Sequence, residues 1–191
     1  MTGYHIALFI HICGLLVAIA AIGVIALAML RVRAARTGAD ALPWLEIDKM
    51  VARAFPLAIL MLFLSGAYMV HKAWSWDTGW IDVGIGGLVF LGVIGDRVQG
   101  GRARFIAKTL AARPGPVDET TAALLRDRVW WTAAMVNPAL AIGVVYAMVS
   151  KLSLGGAIAA ALIASAVGAA LAVPFWRGGE PVPAAVTTPE S

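Results

Sequence analysis

Over most of this chain apolar residues neither alternate nor recur at helical spacing. They come in long blocks, each closed by Arg, Lys, Trp or Pro. A bilayer core of about 30 Å takes about 20 apolar residues per helical crossing. The blocks at 4–30, 54–71, 80–98, 129–150 and 152–176 therefore predict an all-α, multi-pass transmembrane bundle of five spans within residues 1–177. Arg31, Arg33 and Arg36 stop the first span, and Arg53 opens the second, with Pro56 in its first turn, where a missing N–H costs nothing. Trp74, Trp76 and Trp80 mark the start of the third span as an interfacial belt, and Pro174, Trp176 and Arg177 close the fifth.

The connections carry patterns of their own. Bases at 102, 104 and 108 continue the third helix, Arg-Pro-Gly-Pro at 113–116 breaks it, and Asp118 is placed to cap a second helix, so 99–128 reads as a helical hairpin. Residues 43–52 predict a short interfacial helix with Trp44, Leu45 and Met50 towards lipid. The tail 178–191, rich in Pro and small residues and without an apolar period, is expected to be disordered. Gly84, Gly87 and Gly95 on the third span, and Ala160, Ala164, Gly168 and Ala172 on the fifth, are the small residues that let helices approach closely in lipid. Asn137-Pro138 predicts a kink in the fourth span.

Composition agrees: 61% of the 191 residues are hydrophobic and 14% charged, against roughly 25% charged in a soluble domain. Charge adds an orientation. Of the 15 Lys and Arg, all but Lys72 and Lys151 fall in the loops 31–53 and 97–128 or at Arg177. The positive-inside rule then predicts the N-terminus outside and the C-terminus in the cytoplasm of a bacterial inner membrane. The net charge of +4 is topological, and its partners are the bilayer, anionic lipids at the cytoplasmic face, and a membrane-protein partner or second copy; the bases lack the aromatic interleaving of a nucleic-acid groove.

Candidate chemistry is confined to the histidines. Measured from Arg31, His11 lies twenty residues up span one, about 30 Å, and measured from Arg53, His71 lies eighteen up span two, about 27 Å. These rulers predict two imidazoles at one level near the outer face. They meet if the face of Ala7, His11, Gly14 and Ala18 turns to Leu64, Tyr68 and His71. Paired imidazoles in a low-water pocket suit haem b or copper, with Tyr68 bonding a ligand or a ring nitrogen. Asp96, at the inner end of span three, is expected to pair with Arg97 or Arg128.

The stretches "IHICGLL", "LSGAYMVHKAWSWDTGWIDVGIGGLVFLG", "GGRARFIAKTLAARPG" and "VVYAMVSKL", within residues 4–152, resemble a bacterial family of integral membrane proteins known as a domain of unknown function. The layout is more distantly similar to copper-resistance D-like proteins and HemJ-type haem-binding proteins, whose patterns His11 and Lys151 match. The resemblance implies a haem or copper ligand at His11. A non-catalytic membrane subunit or scaffold is the alternative, and a permease is disfavoured because no span carries a polar pathway.

Overall fold

A computed structural model of the protein describes residues 3–176, and the tail 178–191 lies outside the described residues. The described residues form helices and no strand, with one isolated bridge between Thr37 and Pro116. In order they are α1 Gly3–Ala34, α2 Gly38–Ala52, α3 Ala54–Ala73 and α4 Gly79–Ile94, then a π-helical stretch Gly95–Gly100, α5 Gly101–Ala112, α6 Glu119–Leu125, α7 Arg128–Ser150 and α8 Leu154–Trp176. Four segments are long and apolar enough to cross a membrane: Gly3–Ala34, Gly38–Ala73, Glu119–Ser150 and Leu154–Trp176. α4 has 16 residues and runs through the π-helical stretch directly into α5.

Local chemistry sets the boundaries. The Thr37 side chain accepts from the Asp40 N–H at 3.1 Å and starts α2. Pro56 has no N–H for the Ala52 carbonyl, so the helix is interrupted at Arg53 between α2 and α3. The interfacial helix expected at 43–52 is thus longer, beginning at Gly38 and almost continuous with the following span. Asp118 accepts from Thr121 at 2.7 Å and opens α6; these hydrogen bonds, helped by Arg113, hold its exposed carboxylate below the usual range. Asp127 opens α7 in the same way, accepting from Trp130 at 2.7 Å. Lys151, with φ of 50°, ends α7 in the left-handed region.

α1 is apolar on every side, as a helix in lipid should be. Its 32 residues make it about 48 Å long, well beyond a hydrocarbon core of about 30 Å. The surplus runs beside α2. Gly14 faces Ala58, Met61 and Leu62 of antiparallel α3, a register that puts Arg53 level with about residue 21 of α1, roughly 15 Å short of Arg31. The two arginines therefore do not mark one depth.

At the arginine-rich end five helices converge. Ile25, Met29 and Val32 of α1, Leu45 of α2, Ile106 and Leu110 of α5, Leu125 of α6, and Trp130 and Trp131 of α7 form the buried core. Trp131 donates to the Leu125 carbonyl at 2.9 Å and stacks on Phe175 of α8, with ring centroids 4.3 Å apart. Arg33 lies 5.5 Å from each of those two rings and donates to the Phe175 carbonyl at 2.6 Å. The loops at this end are zipped together, Gly38 N–H to Gly115 and Val117 N–H to Arg36, both at 2.9 Å. A side chain at Gly38 would strike the Arg113 carbonyl. Away from this end the molecule is two packed groups: α1 with α3, and α4 with α7 and α8, which meet chiefly where Ile59 reaches Gly92.

Small residues set the second group. A Cβ at Gly143 would lie 2.7 Å from Ala164, and one at Gly168 would lie 2.7 Å from the Met135 carbonyl. Gly84 and Gly87 receive Met148 and Val144 of α7. Gly168→Val is therefore expected to lower stability by about 1–3 kcal/mol through overpacking, with Val167→Ile, on the exposed face, as a neutral control. Thermal unfolding in detergent reads the difference, and equal melting of the two variants would contradict this packing.

Candidate functional site

His11 is half-buried on the α1 face that also holds buried Ala7 and Gly14, and this face is turned to α3. Opposite it α3 presents Ala58, Ser65 and Gly66. Gly66 lies beside the imidazole, where a Cβ would make ordinary van der Waals contact with Cε1 at 3.4 Å. His11 Nδ1 lies 3.1 Å from Ser65 Oγ, and the Ser65 hydroxyl donates to the Met61 carbonyl. With its own proton committed, Ser65 Oγ accepts from Nδ1–H, which leaves the lone pair of a neutral imidazole on Nε2.

His71 is exposed near the end of α3, six residues beyond Ser65, or roughly 9 Å along the axis. It has no hydrogen-bond partner among the described residues. Tyr68 is also exposed, and its hydroxyl lies against Gly3 at the start of α1, not at His11. The structure brings the expected face of α1 to α3 but does not bring His11, Tyr68 and His71 together. Two physical reasons account for this. The ruler from Arg53 started about ten residues too high, and α3 turns its small residues to α1, which leaves Leu64, Tyr68 and His71 outward. Among the described residues no three His, Cys, Asp or Glu side chains are grouped to hold a metal. Cys13 is free and half-buried.

Two further polar constellations lie nearer the arginine-rich end. Asn137, buried in α7, donates to Gln99 Oε1 at 3.3 Å, and Gln99 Nε2 lies 3.7 Å from Met29 Sδ, so α7, the π-helical stretch and α1 are tied through amides. Asn137 Oδ1 is buried without a protein partner among the described residues. Asp48, buried on α2, follows Ala41 and Leu45 at helical spacing; that apolar stripe was the signal that could have marked it as inward-facing. Gln99 had no such signal, because its orientation depends on the π-helical turn.

The second constellation is a surface groove of about 440 Å³ lined by Arg97, Val98, Gly101, Arg102, Phe105 and Val129. Arg102 pairs with Asp127 at 3.4 Å, and Arg104 pairs with Asp96 at 3.3 Å. Asp96 thus finds an arginine, eight residues on, rather than Arg97 or Arg128. At the opposite end Lys151 lies 4.3 Å over the Trp74 ring and Trp74 packs edge-on to Trp80, which joins the two turns there.

Comparison of the chain with protein-family profiles, with curated proteins and with solved structures finds no match.

The His11–Ser65 bond is a helix–helix contact between polar groups, a kind worth about 1 kcal/mol in membranes. Ser65→Ala and His11→Ala are expected to lower the melting temperature by similar amounts, and their combination by little more than either alone. His71→Ala should leave it unchanged. A loss from His71→Ala as large as that from His11→Ala would show that the two imidazoles share a site.

Proposed function

We propose that the protein is a non-catalytic membrane subunit: a five-span bundle in the bacterial inner membrane, N-terminus outside, that holds a helical, arginine-rich surface at the cytoplasmic face for a membrane partner or a second copy. Tight packing is concentrated at one end of the molecule. The largest fully buried side chains, Trp130, Trp131, Met29, Ile106, Leu110 and Val32, all lie in the core at the arginine-rich end. That core fixes α2, α5 and α6 and carries the basic rim of Arg97, Arg102, Arg104 and Lys108. Such an arrangement supports a surface rather than a reaction chamber. The five-span reading takes Gly79 to Arg97 as the third crossing, about 27 Å along the helix. The asymmetry of Lys and Arg supports the orientation.

A haem or copper reading has one specific observation in its favour. Ser65 fixes the Nδ1–H tautomer of His11 and leaves Nε2 with its lone pair, which is how a protein presents an imidazole to a metal. With His71 remote, the second axial or equatorial donor has to come from elsewhere.

The protein solubilised from its own membrane in mild detergent is expected to show no Soret band and no stoichiometric copper. Light scattering is expected to give a protein mass at least twice 20.0 kDa. A monomer with a Soret band that His11→Ala abolishes would replace the subunit reading with the haem reading. A reporter active only in the periplasm, fused after Ser191, should be silent, and activity there would reverse the orientation.

A further inference from the structure

We infer that the groove beside the π-helical stretch is a binding site for one anionic phospholipid, with its phosphodiester held between Arg97 and Arg102 and the first methylenes of its chains on Val98, Phe105 and Val129. This deepens the reading of the arginine-rich end as a membrane-surface platform, but it does not depend on which side of the membrane that end faces.

Shape, charge and level support it independently. Gly101 is part of the lining and leaves the wall between Arg97 and Arg102 without a side chain. π-helical turns of this kind recur at functional sites because the wider turn redirects neighbouring side chains. The lining combines two guanidinium groups with an apolar wall, of which Phe105 and Val129 are each about half exposed, at 53% and 47%. Arg97 is exposed and has no acidic partner among the described residues. Arg102 shares its charge with Asp127 at 3.4 Å but remains 43% exposed. Guanidinium groups match phosphate oxygens with paired hydrogen bonds, which ammonium groups do not.

The groove also lies where spans end. Arg128, the residue before Val129, starts α7, and its guanidinium lies 6.0 Å from the Trp176 ring at the end of α8. Headgroup phosphates occupy this level of a bilayer, and an amphipathic wall beneath paired arginines suits a lipid better than a soluble anion. Asp96, next to Arg97 in the chain, is paired with Arg104 at 3.3 Å.

The test uses the full chain in a neutral detergent. Native mass spectrometry and thermal unfolding are followed while phosphatidylglycerol, phosphatidylcholine of the same chains, or inorganic phosphate is added. Phosphatidylglycerol should be retained through delipidation and raise the melting temperature, whereas phosphatidylcholine and phosphate should not. Arg97→Gln, at an exposed position outside the core, should weaken phosphatidylglycerol binding about tenfold, as expected for one lost charge-assisted contact. Phe105→Ser should weaken the long-chain lipid but not a short-chain analogue. Equal retention of both lipids, an unchanged affinity in Arg97→Gln, or full competition by phosphate would overturn the assignment. Displacement of the lipid by an acidic peptide at equal concentration would assign the groove to a protein instead.

Discussion

The clamp of Arg33 on Trp131 and Phe175 is the contact on which the architecture depends. In lipid there is little hydrophobic force between helices, so association relies on close packing and polar bonds. α8 has small residues for packing against α7, but nothing along its length ties it to α1. Its last turn does so: Arg33 bonds the Phe175 carbonyl, one of the orphan acceptors of a helix C-terminus, and covers the stacked rings of Trp131 and Phe175. Trp131 in turn bonds the Leu125 carbonyl, so the first, sixth, seventh and eighth helices are joined within a few ångströms.

From this junction the molecule loosens. The α1–α3 pair is held by Gly14 and the His11–Ser65 bond, and the α4–α7–α8 group by glycines and alanines. Between the two groups the amides of half-buried Gln99 and buried Asn137 are the last polar tie before the opposite end, where Lys151 and Trp74 close the turns. The densest packing thus lies at the arginine-rich end.

Much of this was legible in the residues. Apolar blocks, the break at Arg-Pro-Gly-Pro and the Asp118 cap show in the pattern because backbone and transfer energetics act locally, and of the small-residue stripe Ala160, Ala164 and Gly168 do face α7, while Ala172 is buried. The face of α1 towards α3 was also readable from its small residues. The relative height of α1 and α3 was not. It depends on α1 running on beside α2, which no boundary residue announces, and that register sets His71 six residues beyond the Ser65 that faces His11. The inward turn of Gln99 was hidden for a similar reason, since the π-helical stretch shifts the phase of every residue after it.

Distance measurements between spin labels test this division into a fixed end and a looser end most directly. With Cys13 replaced by Ser, one pair of labels at the exposed positions Ala39 and Glu119 spans the arginine-rich end, and another at Phe9 and Val149 spans the opposite end. A narrow distribution is expected for the first pair, a broad one for the second, and broadening of the first when Arg33 is changed to Met. Two equally narrow distributions, unaffected by Arg33→Met, would contradict it.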